Sequence, residues 1–268
     1  MALTVSKEER QGNVAISIDV EWAHPEVLAD AVRMLDERGI LATFFCTHDG
    51  IDVGGHERAL HPNFRRSGNT MVEADAATMD DRAFYAFIVS ATRTFCPEAV
   101  GVRSHSLLTD SNLLPIYRDA GLEYDSSYML PLAPGLAPAW RGSGILEIPI
   151  YYMDHWDLSE RATGFGLSGL RLEQPGLKVL TFHPNLIFLN AASERDATGS
   201  KAHYNDPDWL LAHRHTGRGV RSLFIEVLDD VARAKSTCPV LSDINVEWRA
   251  ANDRSVARES TANRIAGG

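Results

Sequence analysis

Apolar residues along this chain switch between short unbroken runs and a helical spacing, and the two kinds of segment alternate. Residues 13–20 form a proline-free apolar run that reads as a buried strand, with Asp19 and Glu21 at its far end. Val27, Leu28, Ala31, Val32 and Leu35 then follow a helical period over residues 26–38, and Gly39 stops it. Residues 40–46 return to a strand, so the chain opens with strand, helix, strand, a unit that implies a parallel sheet. A Gly/Asp-rich loop over 47–55 leads to a short strand over 56–61, which Pro62 and Asn63 break. The spacing of Phe84, Phe87, Ile88, Ala91 and Phe95 predicts a helix over 79–95, with Thr78 or Asp80 to cap it. A strand over 99–103, a helix over 111–120 with Pro115 near its start, and a brief strand over 122–125 continue the rhythm.

The rhythm changes at residue 126, where Pro131, Pro134, Gly135, Pro138 and Gly142 mark a long irregular loop. Residues 144–150 resume as a strand, ending in a polar and aromatic cluster over 151–156. Residues 177–183 are the last clear strand, and an amphipathic helix over 223–235 closes the pattern. From about Leu241 onward the sequence is polar and weakly periodic, and the last fifteen or so residues are expected to be disordered. This organisation predicts one α/β domain over 13–240, between an N-terminal segment, 1–12, and a polar tail, 241–268.

Composition narrows the function classes. A chain of 268 residues with 44% hydrophobic content suits one large domain. A net charge of −10 without any Lys/Arg-rich run argues against a nucleic-acid partner. No transmembrane segment is expected, and without an apolar leader behind a basic start the chain reads as cytoplasmic. Cys46, Cys96 and Cys238 are odd in number and far apart, which offers neither a disulfide framework nor a metal knuckle. Cys46, following Phe44 and Phe45, reads as core.

Chemistry collects at the C-terminal ends of the expected strands, where parallel sheets and barrels carry their sites. Found there are Asp19, Glu21, His61, Arg103, His105, Asp154, His155 and His183. Asp19 and Glu21 are two apart, so extended backbone would project both to one side. A single acid after a strand caps the next helix; two acids facing several imidazoles suit a divalent metal such as Zn, Fe, Co or Ni. The tripeptide His-Pro-Asn occurs at 61–63 and again at 183–185, each time just past an apolar strand, which puts both histidines at the rim. A mixed oxygen and nitrogen site with open positions binds water and polarises a carbonyl, as amide or ester hydrolysis requires. A carboxylate would then take the proton from water and a histidine would protonate the leaving amine.

The pattern resembles the polysaccharide deacetylases with the NodB homology domain, carbohydrate esterase family four, over residues 13–183. Residues 17–21 look like the family's first motif, residues 55–61 are similar to its second, 101–105 stand where its arginine motif belongs, and 180–183 resemble its last. The resemblance implies a distorted (β/α)7 barrel with the site on its C-terminal rim. It aligns Asp19 with the general base, His61 with the first metal histidine, Arg103 with the residue that orients the base, and His183 with the general acid. The chain departs from the family where Val20 stands in place of the metal aspartate and Arg65 in place of the second metal histidine. Glu21 and His105 are the candidate replacements, giving an expected ligand set of Asp19, Glu21, His61 and His105 around Zn, with Co, Ni, Fe or Mn as alternatives. Asp19 is left open as base or ligand, and loss of the metal is the alternative to both. His56 falls at the start of its strand, away from the rim, and His48 has no family counterpart.

Tyr151, Asp154, His155 and Trp156 are expected to contact substrate, the rings by offering flat faces to a sugar and Asp154 with His155 as an extra acid/base pair. The expected partner is an acylated amino sugar or glycan precursor, and the expected activity removal of its acyl group, acetyl in the family. The chain resembles a divergent, shortened member akin to the WbmS-like proteins of O-antigen gene clusters. The rival readings are a glycan-binding pseudoenzyme of the same fold and a related barrel hydrolase acting on a cyclic amide.

Overall fold

A computed structural model describes residues 14–67, 69, 78–234 and 237–252; the expected segment 1–12 and the expected disordered residues lie outside it. Its frame is a nine-stranded sheet. β1 (Val14–Asp19), β2 (Thr43–Cys46), β3 (Glu57–Leu60), β4 (Gly101–Val102) and β5 (Tyr124–Asp125) lie side by side in parallel, and β9 (Lys178–Phe182) flanks β1 on its other side. β6 (Ala139–Trp140) is a short antiparallel edge on β7 (Leu146–Glu147).

The strand expected over 144–150 is longer and bent. β7 pairs with β5, and β8 (Ile150–Met153), two residues further on, pairs with β9. One run thereby joins both ends of the sheet, and the parallel strands close into the distorted (β/α)7 barrel. Hydrogen bonds from Ile148 N to Asp125 O (2.8 Å) and from Ile150 N to Tyr128 O (2.8 Å) carry the run through its bend at Pro149.

Strand alternation sorts the side chains into two layers. Ile16, Ile18, Phe44, Leu60, Leu180 and Phe182 point outward into the core shared with the helices. Ala15, Phe45, Ala59, Tyr124, Ile148 and Val179 fill the barrel interior as a separate cluster. Gly101 is required there: a Cβ would sit 1.9 Å from the ring of Tyr124.

Outside the barrel lie α1 (Pro25–Asp36), α2 (Asp81–Arg93), α3 (Leu113–Asp119) and α4 (Asp154–Glu160). After β9 come α5 (Pro184–Leu189), α6 (Glu194–Ser200), α7 (Pro207–Ala212), α8 (Val220–Ala234) and α9 (Leu241–Ala251). Of the two expected caps for α2, Asp80 does the work, accepting from Ala83 N at 2.8 Å. No helix among the described residues is long and apolar enough to cross a membrane.

α9 corrects the expectation of a polar tail from residue 241. Leu241 and Ile244 enter the interior cluster with half-buried Trp248 against it, so this helix stoppers the N-terminal mouth of the barrel. Its first amides are satisfied by the strands it closes: Leu241 N donates to Thr43 Oγ1 (2.9 Å) and Ser242 N to Glu57 Oε2 (3.1 Å). With the lower mouth plugged, the C-terminal rim is the open end.

Candidate active site

β1 stops at Asp19, and the chain then turns so sharply that Glu21 and Trp22 both take left-handed backbone, with φ of 50° and 54°. The extended geometry expected through Glu21 therefore does not persist, and the two acids reach the rim by different routes. Trp22 N donates to Thr47 Oγ1 (3.2 Å), which pins the turn to the end of β2. A second consecutive left-handed pair, Ser106 and Leu107, follows β4, and all four residues line one cleft of about 510 Å³. Each such non-glycine position costs about 1–2 kcal/mol, strain of the kind that collects at functional sites.

Three side chains from three strand ends meet on one wall of this cleft. Glu21, His61 and His105 each present one ligand atom, and these lie within 4.8 Å of one another. His61 Nδ1 donates to the Arg103 carbonyl at 2.8 Å, which leaves Nε2 as the bare lone pair; that atom is buried, has no hydrogen-bond partner, and stands 3.5 Å from Glu21 Oε1. His105 Nδ1 is 2.8 Å from the same oxygen but out of line for a hydrogen bond. Burial pushes the Glu21 carboxyl upward, but His105 and His61 more than offset it and hold it well below the usual carboxylate range.

A divalent ion suits this donor set. Ligand atoms about 2.0–2.2 Å from one tetrahedral centre are themselves a little over 3 Å apart, and two otherwise unsatisfied buried nitrogens facing a carboxylate are what such a centre would satisfy. Of the four expected ligands, the structure brings Glu21, His61 and His105 together; the carboxylate of Asp19 is taken up elsewhere.

Asp19 Oδ1 accepts from Arg103 Nη1 at 2.7 Å. The guanidinium is fully buried over the Phe45 ring and is held by Ser126 O (2.8 Å), Ser126 Oγ (2.8 Å) and Ser17 Oγ (3.0 Å). Burial alone would raise the Asp19 carboxyl, but Arg103, with His61 and His183 behind it, brings it below its ordinary value.

Across the cleft, His183 Nε2 stands 3.8 Å from Asp19 Oδ2, and its Nδ1 is 2.6 Å from Asp154 Oδ1. Asp154 also accepts from the backbone N of His183 (2.8 Å), which locks the imidazole in place. Burial works against the charged ring, yet Asp154, Asp19 and Glu21 together push its pKa up to about 9. His155 stacks edge-on against it, ring centroids 4.4 Å apart, and is itself held down to about 4 by burial and by the His183 charge.

The expected substrate contacts divide. His155 lines the cleft. Asp154 is wholly buried beneath His183 and acts on that ring rather than on the cleft. Tyr151 and Trp156 do not line the cleft: the Tyr151 hydroxyl donates to Leu170 O (2.8 Å) in the outer core, and Trp156 lies edge-on to Tyr152. The reason is that β8 runs to Met153, so the two tyrosines sit within the strand and face the helices instead of standing beyond its end. His56 is at the opposite end of the barrel, where its Nδ1 accepts from Ala42 N (3.2 Å).

The cleft also contains Trp22, Ser106, Leu107, Met153, Lys201 and Tyr204, which sequence reasoning did not anticipate. Lys201 and Tyr204 come from the short helical turns after β9, where no apolar period signals a placement.

A family model, WbmS-like polysaccharide deacetylase, matches residues 16–200. The chain belongs to this family. Among solved structures, a Bordetella bronchiseptica protein described as a polysaccharide deacetylase involved in O-antigen biosynthesis shares 24% identity. The alignment covers 84% of this chain and 93% of that one, with a TM-score of 0.69. A Mycobacterium smegmatis protein described as a polysaccharide deacetylase shares 19% identity over 93% of this chain and 94% of its own, with a TM-score of 0.55. Both likenesses concern the fold. No curated protein matches the chain in sequence. Within this deacetylase fold, Val20 is buried on the outer face of the chain and Arg65 is exposed on the cleft lip, its Nη2 donating to Ser106 Oγ at 3.1 Å.

Proposed function

We propose that this polysaccharide deacetylase is a metal-dependent hydrolase that removes an acetyl group from an amino sugar of a surface-polysaccharide precursor. The observation that carries the reading is the convergence of Glu21, His61 and His105, two of their nitrogens unsatisfied, beside the Asp19–Arg103 and His183–Asp154 pairs. Glu21, His61 Nε2 and His105 Nδ1 would hold the cation, and a set of one oxygen and two nitrogens without sulfur suits Zn, Co, Ni or Fe. Bound there, it supplies Lewis acidity, which polarises the acyl carbonyl and makes water a nucleophile near neutral pH.

The rest is the work of the chain. Asp19, kept ionised by Arg103, accepts the proton of the attacking water at Oδ2, the oxygen that Arg103 leaves free. His183, kept protonated by Asp154, gives its Nε2 proton to the leaving nitrogen, so the amine departs neutral beside acetic acid, which loses its proton to solvent as acetate. A carboxyl held low and an imidazole held high at 3.8 Å from each other are a base and an acid set apart by their surroundings. Ser106 and Leu107 line the cleft with Trp22 and Arg65, and Met153, His155, Lys201 and Tyr204 complete its lining. The likeness to the Bordetella protein supports a surface-glycan substrate of the kind made for O-antigen.

The test is release of acetate and free amine in equal amounts from N-acetylated hexosamines by the metal-loaded protein. Asp19→Asn is expected to slow it about 10²–10⁴-fold while metal content stays unchanged. A wild-type protein that binds metal stoichiometrically yet releases no acetate from any acetylated sugar would sink the enzymatic reading in favour of a glycan-binding one.

A further inference from the structure

Two cations stand on the lip of the cleft with no acid among the described residues to hold them. Arg65, in the turn after β3, and Lys201, directly after α6, both line the cleft and are exposed. The only side-chain hydrogen bond of Arg65 among the described residues is the one to the Ser106 hydroxyl, and neither cation forms an ion pair there. In a chain with 36 acidic residues against 26 basic ones, acids are not scarce. Elsewhere Arg38, Arg58, Arg118, Arg218 and Arg221 each find one.

Nor does the reacting centre need them. Asp19 is matched by Arg103 and Asp154 by His183, while Glu21 belongs with His61 and His105 to the candidate cation site. The two positive charges are surplus to every acid in the cleft. They also flank it: in the strand order β3, β2, β1, β9, β8, Arg65 belongs to the β3 side and Lys201 to the β8–β9 side, with Asp19 of β1 between. Lys201 is near enough to His155 that its charge adds to the burial and the His183 charge that keep that ring neutral.

We propose that the substrate is an anionic acylated sugar, whose carboxylate or phosphate group is held by Arg65 and Lys201 while the acyl group lies over Glu21, His61 and His105. The inference rests on the deacetylase reading and narrows its substrate class. Guanidinium and ammonium groups are the usual partners of both anions, so carboxylate and phosphate are alternative sources of one chemistry. A uronic acid would supply the first and a sugar phosphate or phosphate-linked carrier the second.

The experiment compares three probes on the metal-loaded protein: N-acetylglucosamine, the same sugar carrying a carboxylate at C6, and the same sugar carrying phosphate at C1. At least one anionic probe is expected to exceed the neutral one in kcat/KM by about tenfold to a hundredfold, chiefly through KM and less so as salt is raised. Whichever anion holds the advantage identifies the source. The advantage is expected to fall several-fold in Arg65→Gln and in Lys201→Gln and to approach one in the double variant, which separates these residues from any attraction exerted by the cation. A charged-to-neutral ratio near one in the wild type overturns the inference while leaving the deacetylase reading intact, and so does a ratio that survives in the double variant. If none of the probes is hydrolysed, the deacetylase reading is what fails. The same ratio measured by calorimetric binding then decides the inference: charged over neutral supports it, and equal affinities overturn it.

Discussion

Replacing His183 by alanine slows acetate release from an N-acetyl sugar about 10²–10⁴-fold, yet leaves cleavage of p-nitrophenyl acetate within a few-fold of wild type. The contrast follows from what Nε2 does. An amine leaves an amide only with a proton, and His183, raised to about 9 and locked by Asp154, is the group that carries one at neutral pH. Nitrophenolate leaves without help, so the acid is superfluous for that ester. The variant keeps its metal, because His61, His105 and Glu21 do not depend on the deleted ring. Asp154 retains acceptor contacts with the backbone N of His183 and of His155. Asp154→Asn is the companion measurement: the ring stays while the carboxylate that holds its proton is gone, so amide hydrolysis falls and ester cleavage does not. Equal losses on amide and ester in His183→Ala would assign this residue to binding or structure instead.

Arg103→Met carries the largest expected cost in stability. The guanidinium joins β4 to Ser17 and Asp19 on β1 and to Ser126 beyond β5, all across the barrel interior and out of contact with water. Methionine fills much of the volume but strips Asp19, itself 2% exposed, of its hydrogen-bonded cation, leaving His183 at 3.8 Å as the remaining ion-pair partner. Breaking one side of such a pair costs about 3–5 kcal/mol, read as a shift in the denaturant midpoint. Asp19→Asn in the same background recovers a good part of that loss, because the stranded charge is removed; the double-mutant cycle then reports a coupling well above experimental error. Additive losses in the cycle would mean that Arg103 stabilises the barrel through Ser17, Ser126 and Phe45 and not through Asp19. Activity disappears in Arg103→Met in either case, while the backbone carbonyl that orients His61 remains.

The sequence was most informative where one signal served two ends. The apolar runs of β1, β2 and β9 are long enough to be read as buried strands, and the His-Pro-Asn tripeptides place His61 and His183 at the rim because proline cannot extend a ladder. Arg103 and His105 follow a strand of only two residues, and it is their order in the chain, matched to the family's motifs, that made them visible. What stayed hidden has physical causes. α5, α6 and α7 are six or seven residues long, too short for a helical period to emerge, and they carry Lys201 and Tyr204 into the cleft neighbourhood. α9 buries only Leu241 and Ile244 fully on its apolar face, so a helix that stoppers the barrel reads as a polar tail. Glu21 reaches the rim through the left-handed turn after Asp19, which has no signature in the apolar pattern, and not through strand alternation. Tyr151 lies away from the cleft because it completes β8, and Trp156 because it sits on α4 against Tyr152.

The most direct measurement is anomalous scattering from crystals of the zinc-loaded protein, collected on both sides of the zinc edge. One strong peak is expected at bonding distance, about 2.0–2.2 Å, from a Glu21 oxygen, His61 Nε2 and His105 Nδ1, with Asp19 still on Arg103 and outside the coordination shell. A peak ligated by Asp19 in place of Glu21, a peak elsewhere on the molecule, or no peak from protein exposed to excess zinc would contradict the account.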